Sequence, residues 1–105
     1  LPISFSDDTY LNYSYDQIPL KRSYAFNPVP AGYNRNQIYG IGCQLWTEWI
    51  RTRKDIERHV FPRIAAYAET GWTDNSGKSY SRFLDALEVL KTRWKRLGYD
   101  LPSEY

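Results

Sequence analysis

A tryptophan and a carboxylate, Trp46 and Glu48, stand two residues apart at the end of a β-prone run over residues 37–46. Side chains two apart share one side of an extended chain, and residues just past a parallel strand face the ligand site of an α/β protein. There the indole could form a stacking wall, and the carboxylate could accept hydrogen bonds from hydroxyl groups. The alternative is that Trp46 belongs to the core and Glu48 begins a solvated loop.

A second pair of hydrogen-bonding side chains, Tyr10 and Asn12, lies in an earlier β-prone run over residues 9–13. The same alternation places both of them on one side of that strand. A phenol and a carboxamide can each donate and accept hydrogen bonds. The two residues therefore form a candidate binding pair, and the alternative is an ordinary strand end with polar edges.

The remaining reactive residue types are scarce. Cys43 is the one cysteine and His59 the one histidine, so an internal disulfide framework and a cysteine-rich metal site are excluded. We expect Cys43 to be a small buried side chain, and His59 to be a surface or supporting residue rather than a catalytic one. Arg63 and Glu69 favour a structural ion pair or cap. No metal site and no cofactor are predicted.

Two strands and two helices would position these residues. The runs 9–13 and 37–46 predict strands, and the second is typical of a strand covered on both faces because it is apolar without clean alternation. Between them, residues 14–36 carry prolines, a glycine and asparagines and show no helical period, which predicts a long loop.

The second half of the chain has helical patterns. Thr52 followed by Asp55 resembles a capping box and places a helix start near residue 53. Pro62 interrupts that helix, which predicts a kink or a later true start. A loop over residues 71–78 precedes a helix over 81–97, with Gly98 placed to end it. The apolar stripe of this last helix consists of Phe83, Leu87, Leu90, Trp94 and Leu97. Trp72 and Trp94 are both expected in the core.

The element order predicts a parallel α/β domain that is incomplete. Residues 1–50 give strand, loop and strand, and residues 51–105 give two helices. Two parallel strands cannot make a sheet with a covered core, so we expect the chain to be part of a larger domain or to associate with the missing part. The absence of methionine from all 105 residues supports a segment that does not start at its own initiation codon.

Composition excludes several functional classes. The net charge of +2 is too small to favour a nucleic-acid partner, and the basic residues collect at helix ends rather than alternating with aromatics. No apolar run approaches the ~20 residues of a membrane span, and the first residues lack the basic start and long apolar core of a signal peptide. Aromatic residues make up 17% of the chain, which suits stacking on sugars as well as core packing.

Taken together, five segments resemble the C-terminal end of the catalytic domain of glycoside hydrolase family 20, the β-N-acetylhexosaminidases. The segments are TYLNY (9–13), YAFNPVP (24–30), IGCQLWTE (41–48), FPR (61–63) and AETGW (68–72). The resemblance implies a (β/α)₈ barrel, of which this chain would supply the last two strands, the last barrel helix and a terminal helix. A closed barrel needs about 250 residues, so this chain alone cannot form one.

The resemblance also implies a chemistry. Members of the family remove terminal β-linked N-acetylglucosamine or N-acetylgalactosamine from glycans with retention, and the substrate's own acetamido oxygen is the nucleophile. A neighbouring Asp-Glu pair orients that group and protonates the leaving oxygen. No adjacent Asp-Glu pair occurs here, so we expect the chain alone to be inactive. The alternative is a non-catalytic carbohydrate-binding or assembly module derived from the barrel end.

By the same resemblance, individual residues acquire roles. Tyr10 would donate to the acetamido oxygen, Trp46 would form part of the aromatic wall, and Glu48 would accept from the distal hydroxyls. Asn12 stands where the family usually has Asp, and it gains a donor and loses the charge. The implied partners are N-acetylated amino-sugar glycans and either the missing N-terminal part of the barrel or another copy of the chain. The implied location is extracytoplasmic: periplasmic, secreted or lysosomal.

Overall fold

A computed structural model describes residues 3–4 and 6–105 of the chain. The elements in chain order are β1 (Ile3–Ser4), α1 (Leu20–Tyr24), β2 (Gly40–Ile41), α2 (Arg53–Val60), α3 (Arg63–Trp72) and α4 (Tyr80–Arg96), with single 3₁₀ turns at Asp7–Thr9, Arg35–Gln37 and Asn75–Gly77. Within these described ranges, no helix combines the length and the apolarity needed to cross a bilayer.

The sheet consists of two short parallel strands. The sequence predicts two parallel strands, but longer ones. Ile3 pairs with Gly40 and Ser4 with Ile41, and a separate parallel bridge joins Tyr10 to Gln44. Between the Ser4–Ile41 pair and the Tyr10–Gln44 bridge, the first segment of the chain has more residues than the second. The Asp7–Thr9 turn accommodates the additional residues. The predicted run over 9–13 therefore contributes only the Tyr10 bridge to the ladder.

A short helix, α1, lies inside the region that the sequence predicts to be a loop. Its buried residues are Leu20, Ser23 and Tyr24. A helix of five residues is too short to show a helical repeat of apolar positions, so the sequence pattern could not reveal it. Tertiary packing against α3 stabilises this short helix, because isolated helices of this length do not form in water.

The long helix predicted from residue 53 is two helices. The start is confirmed, because the Thr52 Oγ1 accepts a hydrogen bond of 3.1 Å from the Asp55 N–H. Pro62 has no N–H to continue the hydrogen-bond ladder, and its ring crowds the preceding turn. As a result α2 ends at Val60 and α3 begins at Arg63, with a cis peptide bond between Phe61 and Pro62.

The helix α4 agrees closely with its sequence prediction. Ser79 caps its start, and Gly98 follows its end with a φ of +87°, in the left-handed region that favours glycine. Phe83 and Leu87 are buried with Leu20, Tyr24 and Ala66 in one core cluster, and Trp94 packs on Phe61 with ring centroids 4.8 Å apart.

Two apolar residues that the sequence assigns to the core are exposed. Leu97, the C-cap residue of α4, is 68% exposed, so the buried stripe ends before it. Trp72, the last residue of α3, is 91% exposed, and the prediction that it lies in the core is wrong for the described part of the chain. No described element lies over the end of α3 to cover the indole.

A second apolar cluster joins the sheet to α3. Leu11, Phe26 and Tyr67 form its buried centre, and partly buried side chains pack around them: Ile41, Cys43, Leu45, Val60 and Ile64. The Tyr67 hydroxyl donates to the Ser23 Oγ at 3.0 Å and also contacts the Asp8 carbonyl oxygen. This cluster fixes the strand ends against α3.

Glu57 ties α2 to the C-terminal segment. One carboxylate oxygen accepts from the Asp100 N–H at 2.7 Å, and the other accepts from the Arg53 Nε at 2.8 Å. The backbone hydrogen bond from Asp100, followed by the neighbouring Arg53, holds the pKa of Glu57 below its ordinary value. The hydrogen bond from the Asp100 N–H to the Glu57 carboxylate therefore attaches the segment after α4 to α2, and its strength depends on pH.

Replacing Glu57 by glutamine should lower the thermal unfolding midpoint at neutral pH, because a neutral amide accepts these hydrogen bonds more weakly. The folded pKa is lowered, so the stabilisation is present above the unfolded value and is lost as the pH falls through the folded pKa. Below pH 4.5 the wild-type midpoint should therefore fall more steeply than that of the variant. Thermal unfolding at a series of pH values measures both slopes.

Glu88→Gln is the matched control, because Glu88 pairs with Lys91 from an exposed position on α4. We expect this variant to keep the wild-type midpoint and slope. Identical slopes for wild type and Glu57→Gln would contradict the role given to Glu57.

Candidate functional site

The two strand ends that carry the candidate residues are joined by backbone hydrogen bonds. The Leu11 N–H donates to the Gln44 carbonyl at 2.7 Å, and the Gln44 N–H donates to the Thr9 carbonyl at 3.1 Å. Tyr10 thus lies opposite Gln44, with Asn12 and Trp46 each two residues further along their strands. The ladder brings both predicted pairs to the same end of the sheet.

Tyr10 and Asn12 are both half-buried at this end. The Tyr10 ring meets the Tyr13 ring edge-on, with centroids 6.4 Å apart. The Asn12 Oδ1 is buried and has no hydrogen-bond partner among the described residues. A buried acceptor without a donor is costly, so this oxygen is free for a donor that the described residues do not supply.

Trp46 and Glu48 lie on the open surface after β2. Trp46 is 57% exposed, which rules out the interpretation that it is a core residue of the described chain, and Glu48 is exposed as well. Ile50 is buried, and its N–H donates to the Thr47 carbonyl at 3.3 Å. The buried Ile50 anchors this turn, which leaves the Trp46 indole and the Glu48 carboxylate accessible.

The structure places the candidate pairs at one end of the sheet without bringing them into mutual contact. Across residues 3–4 and 6–105, no hydrogen bond or ring contact links Tyr10 to Trp46 or to Glu48. The arrangement offers an open surface with a phenol, a carboxamide, an indole and a carboxylate. Those groups can provide donors, acceptors and a flat apolar face for a polyhydroxylated ring.

A partly open pocket lies elsewhere in the described part of the molecule. A cavity of about 230 Å³ lies beside Tyr39 and Gly40, between the start of β2 and the loop that follows α3. The pair Arg35 and Asp74 and the Lys78 ammonium border it. None of the four candidate residues lines this cavity, because they belong to the opposite, carboxyl end of the strand.

His59 bonds within its own helix, and Cys43, which the sequence predicts to be buried, is only half-buried. The His59 Nδ1 lies 2.8 Å from the Asp55 carbonyl oxygen within α2. Cys43 is half-buried in the apolar cluster, and burial raises the pKa of its thiol to about 11, so it is protonated at neutral pH. In the portion of the chain that the structure describes, no three His, Cys, Asp or Glu side chains form a group that could hold a metal ion.

Arg63 does not form the ion pair or cap with Glu69 that the sequence favours. Its side chain is completely buried and donates to backbone carbonyls of three separate segments. Glu69 lies near the Tyr24 hydroxyl, whose pKa is raised by burial and by that carboxylate. The pairing prediction fails because carbonyl groups from distant segments, which no local pattern reveals, surround the guanidinium.

The chain was compared with known families and proteins. The sequence profile described as "Glycosyl hydrolase family 20, catalytic domain" matches residues 4–75. The matched range contains Ser4 of β1, all of β2, the four candidate residues and Arg63. It ends in the loop before α4.

Curated relatives share this similarity. The chain is 30% identical over 89 residues to a "Beta-hexosaminidase" of Porphyromonas gingivalis, covering 80% of the chain and 12% of that protein. It is 26% identical over 85 residues to a "Beta-N-acetylhexosaminidase" of Cellulomonas fimi, covering 78% of the chain and 17% of the relative. The chain thus spans less than a fifth of the length of these relatives.

Solved structures show the same similarity in three dimensions. A family 20 exo-β-N-acetylglucosaminidase of Vibrio harveyi, in complex with N-acetylglucosamine, matches with a TM-score of 0.79 and 27% identity. The match covers 90% of this chain and 17% of that enzyme. An inactive mutant of the same enzyme matches with a TM-score of 0.78. Nearly the whole chain therefore has the fold of one part of such an enzyme.

Proposed function

Because the chain belongs to the catalytic domain of glycosyl hydrolase family 20, we propose that it supplies one side of the sugar pocket of a β-N-acetylhexosaminidase. The substrate class is a glycan with a terminal β-linked N-acetylglucosamine or N-acetylgalactosamine. The curated relatives are named for this activity, and one solved relative holds N-acetylglucosamine. The chain has the fold of the last two strands and following helices of a (β/α)₈ barrel.

The observation that carries the proposal is the pairing of the two strand ends. The Tyr10–Gln44 bridge places Tyr10 and Asn12 beside the segment that presents Trp46 and Glu48. In a (β/α)₈ barrel, this carboxyl end of the strands is where substrates bind. The exposure of Trp46 and Glu48 agrees with a role in binding a ligand.

The Tyr10 hydroxyl is proposed to act on the reacting group. In substrate-assisted hydrolysis, the acetamido oxygen forms a bond to the anomeric carbon while the bond from that carbon to the leaving oxygen breaks. An acid outside this chain protonates the leaving oxygen, and water later opens the oxazolinium-like intermediate. A hydrogen bond from Tyr10 to the acetamido oxygen would orient the nucleophile and stabilise its changing charge.

The other three side chains are proposed to bind rather than react. The Trp46 indole would cover the acetamido methyl group and the apolar face of the sugar. Glu48 would accept hydrogen bonds from the distal hydroxyls. Asn12 would contact the same hydroxyls with a neutral amide, where the family usually has a carboxylate. We therefore propose that position 12 affects the preference of the enzyme between gluco and galacto substrates.

An apolar groove supports the proposal that the rest of a barrel completes this chain. Its lining contains Ile41, Cys43, Ile64, Ala68 and the exposed Trp72. Beside it, the outer edges of the two-stranded sheet are paired with no other strand of the described residues. Strands and helices of the same catalytic domain would cover both, and the 17% coverage of the solved relatives supports this proposal. A second copy of the chain would bring no Asp-Glu pair.

Replacing Tyr10 by phenylalanine in the full-length enzyme should lower turnover of a chromogenic N-acetyl-β-glucosaminide by about 10²-fold, the scale of one lost oxyanion-type donor. The KM should change less than kcat, because the hydrogen bond strengthens as the acetamido oxygen attacks. Tyr39→Phe is the matched control, since Tyr39 is exposed at the opposite end of β2. Full turnover by the Tyr10 variant would exclude the proposed role.

Replacing Asn12 by aspartate should change the ratio of kcat/KM values for the gluco and galacto substrates, which differ in the orientation of one distal hydroxyl. A shift of about tenfold is the size expected of one altered hydrogen bond to a charged group. Asn27→Asp is the control, because its Oδ1 accepts from the Val29 N–H in a loop remote from the strand ends, and aspartate can accept there too. An unaltered ratio in the Asn12 variant would place position 12 outside the pocket.

The chain expressed by itself should release no product from the same chromogenic substrate, because it carries no Asp-Glu pair to orient and protonate the substrate. The full-length enzyme, assayed in parallel at equal molar concentration, should hydrolyse it. Turnover by the pure chain would overturn the assignment of the acid to another part of the barrel. Inactivity of the full-length protein would instead favour a carbohydrate-binding module.

A further inference from the structure

The guanidinium of Arg63 is buried without an acidic partner. The side chain is 0% exposed, and its bonds go to backbone oxygens. Its Nη2 donates to the Leu11 carbonyl at 2.7 Å and to the His59 carbonyl at 2.8 Å, and its Nη1 donates to the Ile18 carbonyl at 3.3 Å. In the described part of the chain, no carboxylate forms a salt bridge with it.

A buried charge without a counterion is stable only where other groups replace its hydration. Here the carbonyl dipoles do so, together with the Tyr15 ring, whose centroid lies 4.2 Å from the guanidinium carbon. The Tyr15 hydroxyl in turn donates to the Phe61 carbonyl at 2.8 Å. Contacts on several sides therefore hold the Arg63 guanidinium in place. The guanidinium can in turn hold the backbone carbonyls to which it donates.

The three carbonyls belong to three separate segments of the chain. His59 lies in the last turn of α2, where carbonyls have no partner within the helix and the dipole favours a cation. Ile18 precedes α1, and Leu11 belongs to the strand end that carries Tyr10 and Asn12. Arg63 thus connects the start of α3 directly to the candidate site.

Leu11 is the residue between Tyr10 and Asn12. Its N–H is held by the Gln44 carbonyl at 2.7 Å, and its carbonyl is held by Arg63 at the same distance. Because peptide units are planar, these two bonds fix the peptide planes on both sides of Leu11. The direction in which Tyr10 and Asn12 leave the backbone depends on those two planes.

We propose that Arg63 is a positioning residue for hydrolysis, which holds Tyr10 and Asn12 in their reactive orientation through the Leu11 carbonyl. The inference rests on the proposed function and goes beyond it, because Arg63 itself touches no substrate. The planar fork of an arginine spreads its donors rigidly toward the Leu11, Ile18 and His59 carbonyls, whereas the ammonium of a lysine concentrates its three donors on one atom and cannot reproduce that spread.

The test is Arg63→Lys in the full-length enzyme, which keeps the charge and removes the fork. We expect kcat for the chromogenic N-acetyl-β-glucosaminide to fall by about 10²-fold, as displacement of a reacting group by about 1 Å does, with a smaller change in KM. The control is Leu87→Ala, which removes a fully buried side chain on α4. That variant should lower the unfolding midpoint and retain wild-type kcat below it.

A double variant separates positioning from general destabilisation. If Arg63 acts through Tyr10, then Arg63→Lys should lower kcat only about twofold when Tyr10 is already phenylalanine. A purely structural role would give the same factor in both backgrounds. Additive losses would therefore overturn the inference, and so would an Arg63→Lys variant whose kcat matches that of Leu87→Ala.

Two further outcomes are distinguishable. If Arg63→Lys does not fold, Tyr15→Leu removes the ring beneath the guanidinium and leaves all its hydrogen bonds possible. This variant should lower kcat in the wild-type background more than in the Tyr10→Phe background, and equal losses would refute positioning.

A folded wild-type enzyme without activity on either amino-sugar substrate would overturn the proposed function, and this inference with it.

Discussion

The backbone of Leu11 is the point on which the described structure depends. A neighbouring strand holds its N–H, and a buried guanidinium on α3 holds its carbonyl. Hydrogen bonds to charged groups contribute about 1.5–3 kcal/mol each, whereas exposed ion pairs contribute about 0–1 kcal/mol. Surface pairs such as Arg22 with Asp8 are therefore secondary, and the contacts of Arg63 decide how sheet and helices fit together.

A second, half-buried cation binds backbone carbonyls in a neighbouring region. The Lys78 ammonium contacts the carbonyls of Tyr24 and Phe26 and donates to the Thr70 Oγ1 at 2.9 Å. Burial partly removes the Lys78 ammonium from water, and this lowers its pKa. Residues 14–36 contain little regular structure, so their carbonyls need partners outside a ladder. Cations from α3 and from the loop after it supply those partners.

Local signals predicted those parts of the fold that depend on neighbouring residues. The Thr52 cap, the end of α4 at Gly98 and its buried face around Leu87 follow from spacing within one turn or a few turns. The sequence missed α1, which packing rather than propensity stabilises. It also missed the carbonyl partners of Arg63, because those partners lie up to 52 positions away in the chain.

The candidate site was predictable as a set of residues, but not as a finished pocket. Alternation and strand order place Tyr10, Asn12, Trp46 and Glu48 at one end of the sheet, and the bridge at Gln44 agrees with that placement. Their mutual geometry depends on strands that the described chain does not contain. The same dependence explains why Trp72 was wrongly assigned to the core.

Exposure alone does not identify a binding residue, and two of the exposed tryptophans, Trp46 and Trp72, show why. Trp72 borders a groove of apolar side chains such as Ile64 and Ala68, a lining suited to packing by another part of a protein. Trp46 is followed by the exposed Glu48 and lies at the strand end that also carries Tyr10 and Asn12. A sugar needs a flat apolar surface together with hydrogen-bonding groups, whereas protein packing needs chiefly the first. This criterion supports the proposed role of the Trp46 indole in binding substrate and the proposed packing of the Trp72 indole against another part of the barrel.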